Sequence, residues 1–191
     1  MDRRKALKNI GTGIGTIALT PAVVSLFHSC QTDVSYSSVF FTENDFKIVS
    51  TLMELIIPKT DIPGAIELKL PEFVDAYIDA VYDEKRKGRF SSGLEEFLAA
   101  GIKDAGKEKA IHLSITDWDS QLAKYLKLGN EILEDEKQAA KFAGELRSLT
   151  VNAFKTNEFI GENVLAYAPI PGKQEGCVDL METTGGKAWS L

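Results

Sequence analysis

The chain has 191 residues, of which 44% are hydrophobic and 26% are charged, and its formal net charge is −6. This length and composition allow one substantial hydrophobic core, so we expect a single globular domain in addition to any leader. The acidic charge disfavours nucleic acid as a partner, because phosphate backbones repel it. After residue 30, no stretch of the sequence approaches the roughly 20 apolar residues that a membrane-spanning helix requires.

The N-terminal segment has the pattern of an export signal. Residues 2–8 contain four basic side chains and one acid, so the leader carries +3 and the rest of the chain −9. An uncharged stretch over 9–27 follows, and glycine and threonine make it less apolar than a membrane anchor. Arg3 and Arg4, followed by an apolar residue and a lysine, resemble a twin-arginine signal, which exports folded proteins. We therefore predict a twin-arginine-type signal peptide over 1–30. The alternative is an amphipathic helix of the mature fold, which the glycines disfavour.

The end of this leader resembles the cleavage box of bacterial lipoproteins, in which a cysteine becomes the lipidated first residue. Ser29 followed by Cys30 fits that box, whereas Phe27 and His28 depart from it. Lipidation of Cys30 would attach the domain to a membrane surface, while the domain itself would keep the fold of a soluble protein. The polar run that follows predicts a flexible tether over residues 31–40.

Helical periodicity dominates from residue 41 onward, and strand signals are scarce. Thr42 is the predicted N-cap of the first helix, and Pro58 ends it. Its apolar residues recur at three- and four-residue spacing: Phe46, Val49, Leu52, Met53 and Ile56. Pro71 opens a second helix. Its predicted core-facing residues are Phe73, Val74, Tyr77, Ile78, Val81 and Tyr82.

Three further helices are predicted before the character of the sequence changes. Gly88 separates the second helix from a third, which Ser91 or Ser92 caps, and Thr116-Asp117 caps a fourth that ends near Gly129. The fifth and longest covers about 134–154, with a predicted buried face of Ala139, Phe142, Leu146, Leu149 and Phe154. The predicted fold is therefore all-α, a compact single-domain bundle of about five to six helices.

Proline and glycine punctuate the chain after Asn157 and predict an irregular C-terminal tail. Tails and loops often carry recognition, and aromatic anchors tend to dominate binding energy. The residues that we predict as a partner interface are Tyr167, Pro169, Pro171, Gly172, Cys177 and Trp189. The alternative is that these residues only fold back onto the helices.

The sequence offers little that indicates catalysis. His28 lies in the leader, and His112 stands alone in an apolar setting, which indicates a packed or surface residue more than a ligand or base. The acidic cluster at 131–136 has the pattern of a solvated helix junction. Asp75 and Asp79 lie four residues apart on the second helix, where a cation or a partner arginine would bridge them only as a minority alternative. We therefore predict no catalytic, cofactor-binding or metal-binding residue.

The two cysteines leave two alternatives open. If Cys30 is lipidated, Cys177 is a lone thiol in an exported protein and is expected to be buried. If Cys30 is retained unmodified, the two cysteines could form a disulfide that closes nearly the whole chain. Neither alternative indicates catalysis, because no histidine lies close to Cys177 in the sequence.

Several short segments, in their order and spacing, are similar to a known family. They lie at residues 41–46, 55–58, 63–65, 71–75, 146–151, 167–172, 176–177 and 186–189. They identify residues 41–191 as resembling gluconate 2-dehydrogenase subunit 3, the small subunit of membrane-bound, flavin-dependent sugar and alcohol dehydrogenases.

This resemblance implies a non-catalytic subunit of an oxidoreductase complex in the bacterial periplasm or cell envelope. The expected partner is a large subunit of the glucose-methanol-choline type, which holds FAD, and a cytochrome c subunit or domain with haem often accepts the electrons. The small subunit is expected to supply the export signal for the pair and to help the large subunit mature. The large subunit sets the substrate. The alternative is a stand-alone envelope lipoprotein that acts as a binding or scaffold module.

Overall fold

The computed structural model describes residues 36–127, 132–167, 172 and 177–190, and residues 37–191 form one compact unit apart from residues 1–36. The helices of this part of the chain are α1 (Glu43–Ile56), α2 (Leu70–Val81), α3 (Glu84–Ala105), α4 (Ile115–Leu126), α5 (Lys137–Thr156) and the short α6 (Leu180–Thr184). Two 3-10 turns (Ala110–His112 and Glu134–Glu136) and a π-helix (Ile160–Val164) join them. Within these ranges there is no strand, so the predicted all-α fold is confirmed.

Helix α5 lies at the centre of the bundle, in contact with α1, α2, α3 and α4. Its buried residues recur at helical spacing and include Phe142 and Leu146 from the predicted face. The Phe142 ring centroid lies 5.0 Å from that of Phe90 and 5.4 Å from that of Phe97, both on α3. Gly93 allows this approach, because a Cβ at that position would lie 2.9 Å from the Cβ of Phe142.

The prediction for α1 is confirmed. The Thr42 hydroxyl accepts a hydrogen bond from the Asp45 amide at 3.2 Å, which caps the helix, and the last helical residue is Ile56. Val49, Leu52 and Met53 are fully buried.

The predicted starts of α3 and α4 were wrong. Helix α3 begins at Glu84 because the Asp83 carboxylate accepts the Arg86 amide at 2.7 Å, and Gly88 lies inside the helix. Helix α4 begins at Ile115, capped by Ser114 in a reciprocal capping box with its third residue. With 22 residues, α3 is also longer than α5, which has 20. The predicted cap Gly129 lies outside the described residues, and α4 ends earlier, at Leu126.

The predicted core face of α2 was partly wrong. Val74 and Ile78 are buried, as is Tyr82 just beyond the helix, but the other three predicted residues are exposed: Phe73, Tyr77 and Val81. The reason is that α2 packs against α1 and α5 through only one of its faces, so its second apolar face remains exposed.

The predicted tether extended too far toward the body. The amides of Val39 and Phe40 donate to the two oxygens of the Asp75 carboxylate at 2.7 and 3.1 Å, and the Phe41 amide donates at 2.8 Å. The Phe40 ring also contacts the Phe41 and Phe90 rings. Residues 39 and 40 are therefore held on α2.

Candidate partner-binding surface

The C-terminal tail is anchored where it leaves α5. Asn157 follows the last residue of α5, and its side-chain amide donates to the Leu68 carbonyl at 3.5 Å. Its side-chain oxygen accepts from the Ile160 amide at 3.4 Å, and Ile160 is fully buried at the start of the π-helix. The first residues of the tail are thus fixed beside the loop that leads into α2.

The end of the chain returns to this anchored segment. The Ala166 amide donates to the Ala188 carbonyl at 2.8 Å, and the Ser190 amide donates to the Ala166 carbonyl at 2.8 Å. These two bonds form an isolated parallel bridge between Ala166 and Trp189. The Lys187 ammonium adds a bond to the Asn163 carbonyl at 3.1 Å.

In the sequence, the short helix α6 lies between the two bridge residues, Ala166 and Trp189. The Asp179 carboxylate accepts the Glu182 amide at 3.0 Å, and Gly185 ends the helix with φ +63°, a left-handed conformation that favours glycine. None of the residues of α6 is buried. Local hydrogen bonds thus stabilise this helix, and none of its side chains belongs to the hydrophobic core.

The tail leaves large apolar side chains in solvent. Six of them are between 46% and 68% exposed: Phe159, Tyr167, Val178, Leu180, Met181 and Trp189. We call these six residues the tail surface. Single exposed apolar residues are normal on a protein surface, whereas a large contiguous apolar patch marks an interaction site. This segment of the described chain is therefore a candidate for partner binding.

A groove where the tail leaves α5 adds polar groups beside the tail surface. Its volume is about 300 Å³, and its walls include Lys155, Asn157, Glu158, Tyr167 and Ser190. Protein–protein interfaces combine an apolar centre with a polar rim of this kind. The tail therefore offers the chemistry of a protein-binding surface.

The structure brings part of the predicted interface together. Tyr167 follows the bridge residue Ala166 directly, and Trp189 is the other bridge residue. Gly172 is exposed with φ +79°, while Pro169 and Pro171 lie outside the described residues. Cys177 has a free, exposed thiol, so the expectation that it is buried was wrong. Of the other singled-out residues, Arg3, Arg4 and Cys30 also lie outside the described part of the chain.

The carboxylates singled out on α2 do not form a joint cation site. Asp75 is fully buried and accepts the backbone amides of residues 39–41, while Asp79 accepts a hydrogen bond from Lys87 at 2.8 Å. In the part of the chain that the structure describes, no group of three or more histidine, cysteine, aspartate or glutamate side chains is placed to hold a metal.

Two polar clusters outside the tail join helices. The Glu145 carboxylate on α5 accepts the Tyr82 hydroxyl at 2.7 Å and the Arg86 guanidinium at 2.7 Å. Burial, reinforced by the bond to Glu145, raises the pKa of Tyr82 well above its ordinary value. The cluster therefore ties the start of α3 to α5 and keeps the tyrosine protonated.

The second cluster lies at the predicted solvated junction. The Lys124 ammonium donates to Asp104 at 2.7 Å and to Glu136 at 2.8 Å. Burial alone would lower the pKa of Lys124, but the two carboxylates outweigh it and raise the pKa. Glu136 is mostly buried, which differs from the solvated junction predicted for it, whereas Glu134 is exposed.

Three observations were not predicted from the sequence. They are the hydrogen bonds that Asp75 makes to the backbone, the exposed apolar residues around α6, and the exposed face of α2. An aspartate among the apolar residues of α2 was the one available signal for the first. The exposed faces depend on which surfaces the neighbouring helices cover, which no local pattern encodes.

Comparison with known proteins gives one match. The family model described as gluconate 2-dehydrogenase subunit 3 matches residues 43–172, which is more than half of the chain. Neither the curated proteins nor the solved structures contain a match. No helix in the described ranges is long and apolar enough to cross a membrane.

Proposed function

Because the chain belongs to the gluconate 2-dehydrogenase subunit 3 family, we propose that it is the non-catalytic small subunit of an exported, flavin-dependent sugar or alcohol dehydrogenase. The family places it in a dehydrogenase complex. The finer proposal is that it escorts, matures and stabilises a large subunit of the glucose-methanol-choline type. That large subunit holds the FAD and oxidises the substrate, and a cytochrome c subunit with haem accepts the electrons.

The observation that carries this proposal is the tail surface. Its six large apolar side chains remain about half exposed even though the tail backbone is hydrogen-bonded to the body. Covering a large apolar side chain contributes about 1.5–3 kcal/mol when its burial is complete. Covering the tail surface would therefore favour the binding of a protein partner, and we propose that the large subunit binds there.

Export and anchoring complete the proposal. The Arg3–Arg4 pair directs the folded complex through the twin-arginine route, and Cys30 becomes the lipidated N-terminus in the cell envelope. Replacing both arginines by lysine is expected to leave the small and the large subunit in the cytoplasm. A large subunit that still reaches the periplasm in that variant would contradict the escort role.

The interface is tested by co-purification of the tagged full chain with the flavoprotein. The test variant is Leu180→Ser with Met181→Ser, because neither side chain is buried and α6 does not contribute to the core. The matched control is Ile111→Ser with Ile115→Ser, two apolar residues that are more than half exposed in a different segment. Flavin absorbance in the purified sample measures how much flavoprotein is bound. We expect at least about tenfold less of it with the tail variant than with the unmodified chain, and the same amount with the control as with the unmodified chain.

Two results would contradict the proposal. A tagged chain that is always isolated alone, fully folded and without a flavoprotein would support the alternative of a stand-alone envelope lipoprotein. Purified chain that oxidises a sugar with an artificial electron acceptor, without added flavoprotein, would make it an enzyme in its own right.

A further inference from the structure

Helix α2 exposes a second apolar face that is separate in sequence from the tail surface. Phe73, Tyr77 and Val81 are 53%, 36% and 57% exposed, and their four-residue spacing places them on one side of the helix. The Phe73 and Tyr77 rings are stacked with centroids 6.0 Å apart. We call these three residues the α2 stripe. Val39, also more than half exposed, is held on the same helix through Asp75.

The chain length between Cys30 and this helix limits how far the two can separate. Val39 is nine residues after Cys30, so a fully extended chain spans roughly 30 Å between them. The Val39 amide is fixed to Asp75, in the middle of α2, by a hydrogen bond of 2.7 Å. Anything that holds Cys30 therefore also holds the middle of α2 within about that distance.

This distance is shorter than the body itself. A folded unit of the size of residues 37–191 has a diameter of about 40 Å, estimated from the usual scaling of the radius of gyration. A body resting on a membrane that holds Cys30 cannot turn α2 to its far side, because the connection around the body would be too short. The side that carries Val39 and α2 is therefore not the side farthest from that membrane.

We propose that the α2 stripe lies against the surface of the lipid bilayer in which the acylated Cys30 is anchored. This inference rests on the lipidation included in the proposed function. Both aromatic residues suit the membrane interface: the apolar ring of Phe73 can be buried among the acyl chains, and the ring of Tyr77 can be buried while its hydroxyl remains at the headgroup level. The acyl group supplies the attachment, and the stripe supplies a second contact that fixes the orientation of the body.

The charge of the chain specifies the kind of contact. Residues 31–191 carry −9, so attraction to anionic headgroups does not drive the binding. The contact is apolar, and we expect it to persist at high salt, where electrostatic attachment is lost.

The test uses the lipidated full chain in vesicles of phosphatidylethanolamine with a minority of phosphatidylglycerol. A tryptophan at the stripe, Phe73→Trp, is compared with one at an exposed position outside it, Ile115→Trp. The background from Trp118 and Trp189 is the same in both variants. We expect acyl-chain-brominated lipids to quench the added fluorescence at position 73 at least about twofold more strongly than at position 115, in low and in high salt.

Hydrogen exchange provides an independent readout on the same vesicles. Backbone amides of residues 70–81 are expected to exchange more slowly in the vesicle-bound chain than in the detergent-solubilised chain. Phe73→Ser with Val81→Ser should abolish that difference, because it removes apolar contact without emptying the core. Ile111→Ser with Ile115→Ser should preserve it.

Three outcomes would overturn the inference. The first is equal quenching at positions 73 and 115. The second is slowed exchange of 70–81 on addition of the flavoprotein in solution but not on vesicles, which would make the stripe part of the subunit interface. The third is an unmodified Cys30 in the mass spectrum of the mature chain, because the short connection would then end in solution. The first two results leave the proposed function intact. The third also removes its anchoring step, but flavoprotein binding through the tail surface and the escort role do not depend on that step, so failure of this inference is distinguishable from failure of the subunit proposal.

Discussion

The carboxylate of Asp75 is predicted to be a main determinant of how the N-terminal end of the body is fixed. It is fully buried and accepts three consecutive backbone amides, from Val39, Phe40 and Phe41, at 2.7, 3.1 and 2.8 Å. In Asp75→Ala these donors lose their acceptor. The Phe41 amide is buried, whereas the other two lie partly in solvent and regain water.

An unsatisfied buried donor costs about 1–3 kcal/mol, so we expect Asp75→Ala to lower the free energy of unfolding by about 2–4 kcal/mol. Asp75→Asn retains one acceptor oxygen and is expected to cost about half as much. Losses of this size are a substantial fraction of the roughly 5–15 kcal/mol that stabilises a typical domain.

Urea unfolding measures this loss, with the fluorescence of the buried Trp118 as the signal. The matched control is Asp79→Ala on the same helix. Its partly exposed ion pair with Lys87 is expected to contribute at most about 1 kcal/mol. Hydrogen exchange of residues 39–41 should rise sharply in Asp75→Ala alone. If Asp75→Ala and Asp79→Ala cost the same, the reasoning about the buried acceptor is wrong.

Further predictions concern the helix contact and the pH dependence of stability. Gly93→Ala should destabilise the chain by about 1–3 kcal/mol in urea unfolding, because the new Cβ would meet Phe142 at 2.9 Å. Gly88→Ala lies in the same helix, but its added Cβ would meet no neighbouring group within 4 Å, so it should stabilise the chain by about 0.5–1 kcal/mol. A loss of stability in both variants would refute the packing argument. Burial raises the pKa of Tyr125 to about 12, above the ordinary value of about 10. The unfolded chain therefore loses this proton first, and the stability contributed by the protonated Tyr125 is complete below pH 10 and lost as pH rises toward 12. Unfolding midpoints measured across that range should fall less steeply in Tyr125→Phe than in the unmodified chain, and parallel curves would contradict the assignment.

The sequence predicts an element well where its local signals agree. For α1 the capping threonine, the apolar spacing and the following proline all indicate the same helix, and its ends are where they were predicted. For α3 the signals conflict, because Asp83 favours a helix start and Gly88 favours an end. A glycine inside a helix costs about 1 kcal/mol, and the packing of a long helix against α5 outweighs that cost. Only the tertiary contact reveals which signal prevails.

The candidate surfaces are less predictable, for a related physical reason. Around α2, apolar residues cover such a wide arc that sequence spacing alone assigns Phe73, Tyr77 and Val81 to the core. The bundle covers only part of this arc, because α2 packs mainly against two neighbours, α1 and α5. In the tail, the bridge joins Ala166 to Trp189 across a stretch of irregular sequence. No periodic pattern links two such positions, so the sequence indicates a recognition segment without indicating how it folds.

On the proposed route, the two exposed surfaces would be covered at different times. The tail surface would meet the flavoprotein in the cytoplasm, before export, so its six apolar side chains would cross the membrane already buried. The α2 stripe would meet lipid only after Cys30 is acylated, and until then it would remain in solvent. A surface of three side chains is small enough for a soluble protein to tolerate, since typical monomers expose apolar patches of a few hundred Å². Enlarging the stripe, for example by Ala76→Leu with Ala80→Leu on the exposed face of α2, should therefore promote aggregation before export more than it strengthens attachment afterwards. This balance between solubility and attachment gives a physical reason for a stripe of this limited size.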